Sequence, residues 1–182
     1  MCVKNTQTTY GIISKSLHWI IAVLVIGMLC YGYFLDDFPK SDQPVAYNIH
    51  KLTGITILFL MLIRLAWALA NPKPILPFDT TPLEKLAERL VHFSLYLFVI
   101  LMPLAGWIGA SAADKPPQLG DFKLALPIHG SKAFVHAAFD VHGTVAIILI
   151  VLISIHVLAA LFHHFIRKDN ILIRMLPERF HR

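Results

Sequence analysis

Residues 141–164 read VHGTVAIILIVLISIHVLAALFHH, a stretch apolar enough to lie in lipid that nonetheless carries four histidines. His142 and His156 fall within the apolar run. A strongly polar side chain at membrane depth is costly, so it needs a partner that offsets the cost. The two are 14 residues apart, which on a helix is about 21 Å of rise and a residual rotation of roughly 40°. In a left-handed bundle at about 3.5 residues per turn that rotation shrinks towards zero. Both imidazoles therefore belong to one helix face, two layers apart.

The rest of the chain supplies a bundle around this helix. It has 182 residues, 57% hydrophobic and 15% charged, with a mean hydropathy of +0.66, far from the balance of a water-soluble domain. Apolar runs at residues 18–35, 49–70, 90–110 and 141–166 are each near or above the roughly 20 residues that cross a hydrocarbon core. The expected fold is an all-α membrane protein, a four-transmembrane-helix bundle forming a single membrane domain over residues 1–182. The first run is too long for a secretory h-region and lacks an A-x-A-like site, which makes it a retained signal anchor. Cys2 and Cys30 are the only cysteines, with no C-x-x-C-H for covalent haem and no zinc-type cluster.

Basic residues set the orientation. Lys4, Lys15, Arg64, Lys73, Lys85, Arg89, Arg167, Lys168, Arg174, Arg179 and Arg182 fall on one side, eleven of the 16 Lys and Arg. Lys40, Lys51, Lys115, Lys123 and Lys132 fall on the other, diluted by Asp36, Asp37, Asp42, Asp114, Asp121 and Asp140. By the positive-inside rule both termini are cytoplasmic. The net charge of +5 thus reads as topology and gives no reason to invoke nucleic acid.

Residues 36–48 form a short polar outer loop. On the inner side, prolines between Asn71 and Pro77 end the second helix, and Thr81, Pro82 and Glu84 make a capping box with proline at the first helical position. Leu83, Leu86, Ala87, Leu90 and Val91 follow at helical spacing, so the third helix starts as an interfacial amphipathic turn. Pro103 is a candidate kink. Residues 111–140 are the longest connection; their prolines and glycines argue against one regular element and place them over the outer end of the bundle. The tail after the fourth span is basic and suits anionic lipid heads.

The other spans supply partners for His142 and His156. His18 opens the first helix at its inner end and His50 opens the second at its outer end. By depth, His50 matches His142 and His18 matches His156. Two bis-histidine sites stacked across the membrane suit two b-type haems held without covalent bonds. Arg64, 14 residues after His50, shares its helix face at the depth of the inner site. There it either meets a haem propionate or snorkels to the inner surface. Gly54 and Gly143 either let a porphyrin approach the backbone or simply pack. His92 has three readings: packing, competition with His18 for the inner iron, or contact with a quinone. His163 and His164 sit at the lipid boundary, where a surface role outweighs ligation. His129, His136 and His181 lie in polar segments. Trp19, Trp67 and Trp107 read as interfacial belt residues.

A resemblance adds to this. The segments YGIISKSLHW, HKLTGITILFLMLIRLAW and HGTVAIILIVLISIHVLAALFHHFIRKDNILIRML resemble the bacterial cytochrome b561 family over nearly the whole chain, above all in His142 and His156 followed by His163, His164, Lys168 and Asp169. That resemblance implies four transmembrane helices in the bacterial inner membrane, two haem b groups and electron exchange with ubiquinone. One member of the family is a superoxide oxidase. The ligands it implies fall on His18, His50, His142 and His156, the residues the depth argument selects. The bundle also resembles the quinone-linked cytochrome b subunits of membrane hydrogenases and formate dehydrogenases, which serve a partner enzyme. With both axial positions filled, outer-sphere electron transfer from superoxide or another one-electron donor is the expected work. Lys51, Lys115, Lys123 and Lys132 are candidates for steering the anion at the outer face. Two rivals remain: an assembly or anchoring subunit without redox work of its own, and a metal-ion transporter, whose midplane carboxylates are missing because every Asp and Glu lies outside the apolar runs. The sequence assigns no oligomeric state.

Overall fold

The computed structural model describes residues 2–78 and 80–176, so Arg179, His181 and Arg182 lie outside the described residues. Four long helices dominate: α1 (Ile12–Tyr33), α2 (Gln43–Ala70), α3 (Pro82–Ala112) and α4 (Lys132–Phe162). All four are long and apolar enough to cross a membrane. At 1.5 Å per residue, the 31 residues of α3 and of α4 run about 46 Å, well beyond a hydrocarbon core of about 30 Å.

Each helix starts before its apolar run, at residues 12, 43, 82 and 132 where the runs begin at 18, 49, 90 and 141. Lipid dictates only the apolar part. The ends are set by caps: Thr81 accepts from the Glu84 backbone N–H and Glu84 reaches back to Thr81, the expected capping box, and Ser131 accepts from the Phe134 N–H. In consequence His18 and His50 do not open their helices but sit about two turns inside them, and His136 lies within α4. The helix α3 continues through Pro103. After Phe162 the chain widens into a π turn, His163–Arg167, closed by Lys168 in the left-handed region at φ 56°.

The inner end is knitted from three segments. Asn5 donates to the Pro72 carbonyl, the Ile75 N–H to the Gln7 carbonyl, Thr9 Oγ1 to the Arg174 carbonyl and Lys15 to the Leu176 carbonyl. The N-terminal segment, the α2–α3 loop and the C-terminal tail therefore share one side, as an even number of spans requires. At the outer end α4 begins nine residues earlier than its apolar run, so the connection shortens to residues 113–131. It carries a two-stranded hairpin, β1 (Gln118–Leu119) and β2 (Phe122–Lys123). This loop folds over the bundle: Asn48 and Gln118 exchange two hydrogen bonds at 2.8 Å, Trp107 Nε1 donates to the Leu124 carbonyl at 2.7 Å, and Ser111 Oγ accepts from the Leu126 N–H.

The three tryptophans do more than sit at the interface. Besides Trp107, Trp67 bonds Ser14 Oγ and Trp19 bonds the Met175 carbonyl, so each indole N–H ties one element to another.

Sequential helices pack closely, α4 on α3 most of all, then α3 on α2 and α2 on α1. The backbones of α1 and α4, and of α2 and α4, approach each other far less. The core is Ile21, Val25, Ile57, Met61, Val99, Met102, Val145 and Leu149. Ile57 lies midway between His50 and Arg64, and Leu149, with no exposed surface, midway between His142 and His156. An apolar layer thus separates an outer from an inner set of polar side chains, and the large apolar residues left exposed, such as Val23, Ile147 and Leu158, form the lipid-facing wall.

Candidate functional site

The four paired histidines meet as the depth argument orders them. His50 on α2 and His142 on α4 have ring centroids 5.9 Å apart at an interplanar angle of 72°. His18 on α1 and His156 on α4 stand at 6.2 Å and 71°. An imidazole–metal bond is about 2 Å and the ring centroid lies about 1 Å behind the nitrogen, so two imidazoles on opposite sides of one metal hold their centroids about 6 Å apart. Both pairs have that spacing. They also bridge the helix pairs whose backbones stay apart, where a planar macrocycle has room. Among the described residues no group of three or more His, Cys, Asp or Glu is arranged to hold a bare metal ion, so pairing, not clustering, characterises these sites.

At the outer pair His142 Nδ1 lies 2.8 Å from the Met102 carbonyl. A ring whose Nδ1–H is donated presents its Nε2 lone pair to a metal, the arrangement that orients ligating histidines. Gly106 makes this possible: a Cβ there would stand 2.8 Å from His142 Nδ1. On the other side Tyr31 stacks on His50 at 6.4 Å and 17°, and Gly32 faces it, with a notional Cβ 3.1 Å from His50 Cε1. His50 Nδ1 is buried and has no hydrogen-bond partner among the described residues.

Of the two glycines beside the histidines along the chain, Gly54 packs in ordinary contact with Pro103 at 3.8 Å, and Gly143 has no protein atom within 4 Å of its notional Cβ. The glycines that press on the imidazoles, Gly106 and Gly32, face them from the adjacent helix. The available signal was a glycine inside an apolar span, which marks close backbone approach.

The inner pair has more company. His92 on α3 stands 5.2 Å from His156 at 76°, about 1 Å short of a trans-ligand spacing, which His18 meets. Its Nδ1 is held by Glu88, 2.8 Å from the carbonyl and 2.7 Å from Oε1, and Glu88 also pairs with Lys73. Arg64 is half-buried; its Nε donates to Tyr96 Oη at 3.2 Å and its guanidinium lies 5.7 Å from the Tyr96 ring. Tyr10, in the segment before α1, belongs to the same neighbourhood. Burial, aided by the Glu88 carboxylate, pushes its phenol above the usual range.

His163 turns back on the tail, with Nδ1 2.5 Å from Asp169 Oδ2, and Arg167 pairs with Glu84 across to α3. Neither His163 nor His164 is fully exposed, and His164 Nδ1 is buried without a hydrogen-bond partner among the described residues. His129 lies 4.0 Å from Asp114, both exposed.

Of the four outer lysines, Lys51 is committed. Its ammonium donates to the carbonyls of Lys115 at 2.9 Å and Pro116 at 3.5 Å, so it pins the outer loop beside His50. Lys115, Lys123 and Lys132 are exposed.

Comparison with known proteins places the chain in a family. Residues 9–178 match the family model described as prokaryotic cytochrome b561. The chain is 32% identical to cytochrome b561 homolog 2 of Escherichia coli over 97% of its own length and 95% of that protein. It is 30% identical to cytochrome b561 homolog 1 of the same organism, over 90% and 94%. It is 29% identical to a protein of Yersinia pestis named probable superoxide oxidase CybB, over 93% and 97%. Four apolar helices, paired histidines at two depths and a family match over almost the whole chain converge: this protein belongs to the prokaryotic cytochrome b561 family, multi-pass bacterial membrane proteins that use haem b for electron transfer.

Proposed function

We propose that this protein is a di-haem membrane cytochrome of the bacterial inner membrane that oxidises superoxide at the outer face and reduces ubiquinone. His50 and His142 hold an outer haem b, and His18 and His156 an inner one. The observation that carries the reading is the pair of imidazole pairs, at 5.9 and 6.2 Å, with an apolar layer between them. When bound, the haems would supply one-electron storage, with these imidazoles holding the iron. The protein's own groups hold and tune: the Met102 carbonyl fixes the His142 tautomer, Gly106 and Gly32 let the rings seat, and Arg64 offers its remaining N–H donors to a propionate. Two superoxide anions give up one electron each, leaving two O₂, and one ubiquinone takes those electrons with two protons to become ubiquinol. The name of the Yersinia relative supports the substrate. Field strength at the outer face does not, because five lysines and six aspartates there leave a net charge of −1; only the exposed Lys115, Lys123 and Lys132 favour an anion.

The test is an anaerobic superoxide pulse on purified oxidised protein, followed optically. Haem reduction that reverses on adding ubiquinone is expected. Haems that stay oxidised in superoxide yet are reduced by ubiquinol would overturn the reading and make the protein a quinol-linked cytochrome b serving a partner redox enzyme.

A further inference from the structure

We propose that Lys73, Glu88 and His92 form a positioning chain that runs from the inner-face loop to His156 and fixes the plane of its imidazole; the inference rests on the reading of His156 as an inner-haem ligand. Three contacts carry it. Lys73 leaves the α2–α3 loop and pairs with the Glu88 carboxylate. Glu88, four residues before His92 on α3, receives His92 Nδ1 at 2.7 Å through Oε1 and at 2.8 Å through its carbonyl. His92 then meets His156 edge to face, 5.2 Å between centroids. A carboxylate on Nδ1 holds a histidine ring in one tautomer and one orientation, and aromatic rings at this distance prefer the tilted arrangement seen. His156 has no other ring neighbour among the described residues than His18, its trans partner, and His92. The rotation of His156 about its own axis is therefore set from α3, and Glu88 sets α3's side of the contact.

The chain also carries charge. Glu88 is the acidic member, balanced by Lys73, whose side chain is 52% exposed against 21% for Glu88. An anion near an iron favours its oxidised state, so removing Glu88 and removing Lys73 act in opposite directions on the inner haem.

The experiment is a redox titration with low-temperature electron paramagnetic resonance on purified wild type, Glu88→Gln, Lys73→Ala and His92→Phe. Expected in Glu88→Gln is an inner-haem reduction constant at least threefold higher, about 30 mV upwards for one electron. Lys73→Ala should move it downwards. His92→Phe should alter the low-spin g-values of the inner haem, with the outer haem unchanged in all three; Glu88→Asp should restore the wild-type signal in part. A packing role alone gives none of these. Unchanged potentials and g-values across the variants, in wild-type protein carrying two haems, would overturn this inference and leave the ligand assignment standing. Loss of the inner haem from His92→Phe with its retention in His18→Ala would make His92 the ligand and overturn both.

Discussion

Gly106→Ala tests the outer site at its tightest point. The added Cβ would stand 2.8 Å from His142 Nδ1, 3.1 Å from Cε1 and 3.6 Å from Cγ. Non-bonded heavy atoms settle at about 3.5 Å or more, so the ring must retreat by about 0.7 Å. The 2.8 Å contact of Nδ1 with the Met102 carbonyl then stretches to about 3.5 Å, outside the range of an N–H···O bond. Loss of that bond costs about 0.5–1.5 kcal/mol. Loss of the group that orients a metal-binding histidine lowers affinity by roughly 10–100-fold, which is about 1.4–2.8 kcal/mol and of the same order. Gly106→Ala protein is therefore expected to release the outer haem about 10–100-fold faster and to keep the inner one. The assay is transfer of haem from purified protein to an excess of a haem-free acceptor, read as two kinetic phases. Gly54→Ala is the control, since its notional Cβ meets only Pro103 at an ordinary 3.8 Å. Wild-type release from Gly106→Ala, or faster release from Gly54→Ala than from Gly106→Ala, would refute the reasoning.

Arg64→Ala should lower the inner haem's midpoint potential in a redox titration, because a cation near the iron favours the reduced state, and Arg64→Lys should lower it less, keeping the charge but losing the planar fork; identical titrations of both variants and wild type would place the guanidinium away from the haem. At the outer face Lys51→Ala should raise amide hydrogen exchange in residues 113–131, since its two carbonyl contacts involve a charged donor worth about 1.5–3 kcal/mol, whereas Lys123→Glu with Lys132→Glu should slow haem reduction by superoxide and make the rate rise with salt, which screens the repulsion they introduce.

How far the sequence reaches depends on what kind of force sets each feature. The spans are legible because lipid acts on composition alone. Helix starts are only partly so: Thr81 announces itself through Glu84 three residues on, while Ser131 is followed at that place by Phe134, and α4 consequently begins earlier than its apolar run. The pairing of His50 with His142 and of His18 with His156 is legible because a 14-residue spacing is a matter of helical period. The roles of Gly106 and Gly32 are not legible, since they depend on the register of α3 against α4 and of α1 against α2, which no local pattern encodes. Lys51 shows the same limit from the charge side. Its position beside His50 points to steering, but its ammonium is spent on the Lys115 and Pro116 carbonyls. Glu88 and His92 stand at a helical i,i+4 spacing that was open to reading, yet only the fold puts His156 beside them.

The layer between the two histidine pairs suits the proposed passage of an electron, and not of a proton, through this bundle. Residues 51–63 after Lys51 and residues 143–155 contain no titratable side chain, and the α3 stretch between them in depth contributes only Tyr96. Ile57, Val99, Met102, Val145 and Leu149 fill the centre, each at most 8% exposed. Carrying a proton through such a layer would require polar groups or ordered water with two to four partners each, and apolar walls supply neither. An electron needs no such chain; it needs rigid redox groups at fixed separation, and the 14-residue spacing on α4 fixes that separation at about 21 Å between ligand positions. In the proposed reaction the two protons of ubiquinol must therefore enter from whichever face the quinone approaches, independently of the electrons that arrive through the bundle. Placing a single carboxylate in the layer, as in Leu149→Glu, is expected to destabilise the bundle without opening a proton leak in liposomes, because one buried group does not make a path; a leak from that variant would show that the centre is wetter than its packing implies.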